Sequence, residues 1–101
     1  MRIRAKFGTW IRLFVGPPGV PGADTFDVFV CTPDWLSEKV EDDSAAQWGR
    51  HLLIVKEYDL GAVVRAIEEM IGRISAADWP AVAVKLSRYA AWEFEDYKME
   101  A

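Results

Sequence analysis

Residues 25–31, TFDVFVC, leave an extended chain almost no polar face. Successive side chains of a strand point to opposite sides, so Phe26, Val28 and Val30 share one side and Asp27, Phe29 and Cys31 the other. A strand that is mostly apolar on both sides needs cover above and below, which makes this segment a central strand. The flanking sequence has to supply the neighbours and the cover.

Upstream lies GPPGVPGAD, residues 16–24, with three prolines and three glycines. Proline cannot donate to a ladder and glycine accepts positive φ, so this stretch is a turn or hairpin loop. The apolar TWIRLFVG before it reads as a β-strand, the hairpin partner of the central one. Earlier still, Ile3, Ala5 and Phe7 alternate with Arg2, Arg4 and Lys6, the period of a half-buried strand over 2–7.

Downstream, TPDWLSEKVEDDS starts like a helix. Thr32 can cap free N–H groups, Pro33 suits the first helical position, and Asp34 favours the positive end of the helix dipole. HLLIVKEY, 51–58, reads as another buried strand. Asp59 then caps the clearest amphipathic helix, in which Leu60, Val63, Val64, Ile67, Met70, Ile71 and Ile74 recur at three-and-four spacing. Asp78 caps a further helix with Pro80 in its first turn and Trp79, Val82, Leu86 and Tyr89 turned inward. The period changes to two at Trp92–Glu93–Phe94–Glu95, which predicts a closing strand over 91–97. The resulting order is β-β-β-α-β-α-α-β, one α+β domain over residues 1–101 with about three helices on a mostly antiparallel sheet.

The totals narrow the chemistry. Half the residues are hydrophobic, which suits a globular domain, and the single thiol of Cys31 permits no internal disulfide. No signal-like or membrane-length apolar run occurs, so a cytoplasmic protein without a membrane partner is expected. Charge is uneven: residues 1–23 carry +4, and residues 24–101 carry 8 basic and 16 acidic side chains, or −8. An acidic body repels nucleic acid and suits a basic partner. There is no phosphate-cradling glycine loop, and one His and one Cys 20 residues apart do not form a metal-ligand cluster, so no cofactor is implied. Cys31 and His51 are the one thinkable nucleophile–base pair, yet a thiol ending an apolar strand is ordinarily buried and inert. Arg2, Arg4, Lys6, Trp10 and Arg12 come nearest to a nucleic-acid surface, but a basic edge that resists aggregation accounts for them more simply.

The ending, AAWEFEDYKMEA, interleaves Trp92, Phe94 and Tyr97 with Glu93, Glu95 and Asp96. On a strand Glu93 and Glu95 would lie roughly 7 Å apart on one face. That face looks at water if the rings are buried, and solvated carboxylates do no acid work. Core packing is the default for Trp92 and Phe94, as for Trp35, Trp48 and Trp79. The acids have no packing reason to be there. They serve either as a charged edge that blocks strand addition or as an acidic strip for a basic partner.

Several segments taken together resemble the immunity protein 8 family of bacterial polymorphic toxin systems. They are FDVFVCTPDWL (26–36), WGRHLLIV (48–55), the Tyr58–Asp59 pair, Trp79 with VKLSR (84–88), and WEFEDY (92–97), and the resemblance runs over roughly residues 10–98. It implies an α+β, non-enzymatic protein that binds and neutralises a cognate toxin in the producing cell. On that reading the expected contact residues are Glu93, Glu95, Asp96 and Tyr97, joined by Glu41, Asp42, Asp43 and Trp48. A cationic, nuclease-type toxin is the partner that the sign of charge favours. A scaffold domain for some other protein, or a small enzyme using Cys31–His51 or the terminal carboxylates, are the competing readings.

Overall fold

A computed structural model of the chain describes residues 6–43, 46 and 48–94, with the side chains of 41–43 set aside. The central-strand expectation is met. Strand β2, Asp24–Cys31, pairs antiparallel with β1, Gly8–Val15, in a register running from Gly8↔Cys31 to Val15↔Asp24. The intervening loop turns where glycine is needed: Gly22 has φ +93°, and a Cβ on Gly16 would lie 2.5 Å from the Gly22 carbonyl oxygen.

Two short strands complete the sheet on the other side of β2. Strand β3, Leu52–Ile54, runs parallel to Phe29–Cys31, and β4, Ala91–Trp92, runs antiparallel to Phe26 and Asp27. A parallel neighbour requires a crossover, which helix α1, Pro33–Asp43, supplies between β2 and β3. The pairing of β3 reaches a residue further at each end, because Phe29 N–H donates to the His51 carbonyl and Val55 N–H donates to that of Cys31. His51 itself has φ +62°, a left-handed conformation uncommon for a residue with a side chain.

Helices α2, Leu60–Gly72, and α3, Trp79–Leu86, start where their capping aspartates stand. Asp59 Oδ1 accepts from Ala62 N–H at 3.2 Å, and Asp78 Oδ1 accepts from Ala81 N–H at 3.0 Å. Both helices lie on one face of the sheet. There Phe26, Val28 and Val30 are buried with Val63, Ala83, Leu86 and Ala90, and Ile11, Leu13 and Leu53 pack around them. Asp24 sits at the margin of this core, at the start of β2.

Over the described residues the architecture is α+β, a mixed four-stranded sheet with three helices in the expected order. The alternation at 2–7 falls mostly outside the described residues; Lys6 and Phe7 lead into β1. The closing strand is shorter than its period-two pattern suggests: Glu93 and Phe94 already form a turn, and residues 95–97 lie outside the described residues. Three inward assignments also change. Leu60 and Val64 are exposed because α2 presents only a narrow stripe to the sheet, and Tyr89 is exposed in the turn beyond the end of α3. Phe94 is 44% exposed and touches Trp92 edge-on instead of entering the core.

Candidate functional site: the open face of the sheet

The strand register assigns the second face of the sheet to Trp10, Arg12 and Phe14 from β1, Asp27 and Phe29 from β2, and Leu52 and Ile54 from β3. Of the described helices only α1 lies on this side, and it covers one part. The Trp35 ring meets Phe29 at 4.8 Å, and Phe29 meets Trp10 edge-on at 5.1 Å. Gly8 makes this docking feasible, since a Cβ there would stand 2.6 Å from the Trp35 ring. Between α1 and the strands runs a groove of about 300 Å³, lined by Trp10, Phe29, Trp35, Val40 and Trp48.

The uncovered remainder is rich in rings. Trp10 is 63% exposed, Phe14 71% and Trp48 96%. Trp48 therefore does not belong to the core, contrary to the default for so large a ring. It stands in the loop before β3, where no helix or strand of the described residues closes over it. Singly exposed apolar residues are ordinary, but several large rings on one face mark an interaction surface.

In the middle of that face Arg12 grips Asp27 with two parallel bonds, Nε to Oδ1 at 2.9 Å and a terminal guanidinium nitrogen to Oδ2 at 3.2 Å. These hydrogen bonds and the guanidinium charge hold the Asp27 carboxyl below its ordinary pKa. The same contacts raise Arg12, with a smaller contribution from the nearby Glu93 carboxylate. The pair neutralises itself, so the face is close to uncharged at its centre.

Of the residues anticipated for partner contact, the structure describes two side chains. Trp48 projects into solvent, as a contact residue must. Glu93 is exposed but engaged: its Oε1 accepts from Thr25 N–H at 3.0 Å, while its own N–H donates to the Thr25 carbonyl at 3.1 Å. It thereby extends the β2–β4 pairing by one residue and stands beside the Arg12–Asp27 pair. Glu95, Asp96 and Tyr97 lie outside the described residues. Glu41, Asp42 and Asp43 form the last turn of α1, with side chains likewise outside the description.

Trp10, Phe14 and the Arg12–Asp27 clasp were not among the anticipated contacts. The signal for them was a strand with rings on the same side as its arginine: Trp10, Arg12 and Phe14 share one parity, Ile11, Leu13 and Val15 the other. Both parities are apolar, so nothing local distinguishes the covered face from the open one.

The groups considered for catalysis are placed otherwise. Cys31 is fully buried, and burial raises its thiol pKa, which opposes the thiolate a nucleophile needs. The His51 Nε2 lies 2.9 Å from the Ser87 carbonyl oxygen, a structural partner. Among the described residues no group of three or more His, Cys, Asp and Glu side chains is arranged to hold a metal, and no helix is long and apolar enough to cross a membrane.

No curated protein and no solved structure matches the chain. The family model for immunity protein 8 matches residues 2–97, so it takes in the basic amino-terminal segment that the motif resemblance left out. With nearly its whole length matched, this chain belongs to the immunity protein 8 family.

Proposed function

We propose that this protein neutralises a cognate toxin by direct protein–protein contact, without chemistry of its own. The family supports an immunity role. The observation that carries the contact mechanism is the exposure of Trp48, 96%, beside a sheet face that its helices leave partly open. Rings of this kind anchor slow dissociation when a partner desolvates them.

On this reading the acids Glu93, Glu95 and Asp96, with Glu41, Asp42 and Asp43 at the end of α1, form the outer contact set, and Tyr97 and Trp48 are the aromatic anchors. Their sign selects a cationic toxin, as many nucleic-acid-cleaving domains are, and long-range attraction speeds the encounter. The test is a growth-rescue assay against the toxic domain encoded beside this chain's gene, paired with co-purification of the two products. Rescue together with a stable complex supports contact inhibition. Rescue without any complex would point to a different means of protection.

A further inference from the structure

Resting on the reading of a toxin-binding protein, we infer that the toxin docks on the open sheet face, with Trp10, Phe14 and Trp48 as its apolar anchors around the Arg12–Asp27 clasp. Glu93, exposed beside the clasp, then gives the docking surface its negative charge.

Area comes first. A large aromatic ring buries about 150–250 Å², so the exposed parts of Trp10, Phe14 and Trp48 together amount to roughly 500 Å². That falls within the range of the largest, often functional, apolar patch of a monomer, about 300–600 Å², and it is more than half of one partner's share, about 800 Å², in a standard interface. Composition agrees: tryptophan and arginine are enriched where binding energy concentrates, and here both occur side by side.

Charge then selects the class of occupant. A nucleic acid would require cations free to meet phosphate, but the Arg12 guanidinium is held in a fork by Asp27 and lies near Glu93. The face instead suits an apolar projection from a protein whose basic surroundings meet the exposed Glu93 carboxylate. The groove beside Trp48 gives such a projection somewhere to enter. A second copy of this chain is disfavoured at the β1 edge. The antiparallel register that would set Trp10 against Phe14 also sets Arg12 opposite Arg12, and like charges directly opposed are destabilising.

The experiment measures binding of the full chain to a catalytically disabled form of the adjacent gene's toxic domain. Trp10→Ala and Trp48→Ala are each expected to weaken binding by about thirtyfold or more, as hot-spot rings do. Val84→Ser, an exposed apolar position on α3, serves as the control and is expected to bind like the unaltered chain. Because Trp10→Ala could disturb the sheet, hydroxyl-radical footprinting of the unaltered complex reads the same surface without mutation. Protection of Trp10 and Trp48 from oxidation is the expected result. Binding by both variants at full strength, or rings as reactive in the complex as alone, would overturn the docking face while leaving inhibition by contact intact. A chain that dimerises through Trp10 would overturn it as well. Failure of the unaltered chain to bind the domain would instead defeat the contact mechanism itself, and the docking face with it.

Discussion

Asp24 holds Trp79 and Trp92 through a single carboxylate oxygen, Oδ2, which accepts an indole N–H from each at 3.1 Å. The three residues come from the start of β2, the start of α3 and the end of β4. Phe26, two residues along β2, touches both rings: Trp79 edge-on at 6.4 Å and Trp92 in a stack at 6.3 Å. One acceptor on the central strand thus fixes where the last third of the chain returns to the sheet.

Replacing that acceptor should loosen both returns together. Hydrogen bonds to a charged group contribute about 1.5–3 kcal/mol each, so Asp24→Ala is expected to cost about 2–4 kcal/mol at this half-buried site. Asp24→Asn keeps an oxygen acceptor and should cost roughly half as much. For a domain of this size each kcal/mol lowers the melting temperature by about 4–8 °C, which thermal unfolding resolves. Equal stability of Asp24→Ala and the unaltered chain would deny the tether any role.

Thr32 is the only buried polar side chain among the described residues, and its hydroxyl has two tasks. It accepts from Phe7 N–H at 3.0 Å and from Trp35 N–H at 3.4 Å, linking the entry of β1 to the first turn of α1. Thr32→Val preserves the shape and removes the acceptor, stranding two N–H groups, at an expected cost of about 2–3 kcal/mol in urea unfolding. Thr32→Ser should retain most of the stability. Valine matching threonine at this position would show that packing, and not capping, accounts for it.

Gly8 is required by proximity, not by backbone torsion. An added Cβ would sit 2.6–2.8 Å from three atoms of the Trp35 ring, so Gly8→Ala must push the ring off Phe29 and lift part of α1. Overpacking of this kind costs about 1–3 kcal/mol. A double change, Gly8→Ala with Trp35→Leu, should recover part of that loss in the same unfolding measurement. Failure of the smaller side chain to relieve it would place the conflict elsewhere.

The Arg12–Asp27 clasp makes a pH prediction with a definite sign. The folded-state pKa of Asp27 is depressed below its ordinary value, chiefly by the Arg12 hydrogen bonds. The associated stability is therefore complete above the unfolded pKa, about 3.9, and is lost as pH falls through the lower folded value. Both groups are more than a third exposed or close to it, so solvent keeps the effect small. Arg12→Gln should flatten the fall in melting temperature as pH drops below about 4. An acid limb as steep in the variant as in the unaltered chain would show that the clasp adds nothing to folding.

The parts legible in the sequence are those governed by short-range chemistry. Asp59 and Asp78 announce their helices because a cap acts within three residues, and β2 announces its central place because both its parities are apolar. What the sequence concealed depends on contacts far along the chain. The parallel sense of β3 follows from the crossover by α1, which no local pattern of HLLIVKEY encodes. The last strand is held by β2, far back in the chain: Glu93 adds one more bond to Thr25, 68 residues away, before the chain turns. Trp48 looks like a core ring by composition and is bare because no described helix or strand lies over the loop carrying it. The open face escaped notice for the same reason: which parity of β1 the helices cover is decided by three helices, two of them choosing the side of Phe26.

The acidic ending allows a kinetic prediction separate from the aromatic anchors. Glu95→Lys with Asp96→Lys changes the local charge by four units where a cationic toxin would approach. Attraction across solvent acts on encounter, so the association rate at low salt should fall by about tenfold or more while dissociation changes little. Raising salt shortens the screening length to about 3 Å at 1 M, and the two proteins should then associate at similar rates. Stopped-flow mixing at several ionic strengths reads both rates directly. The anchors would respond in the opposite manner, since removing Trp48 should quicken dissociation at every salt concentration. An association rate at low salt unaffected by the double reversal would remove the carboxy-terminal acids from the encounter and leave the rings to account for recognition alone.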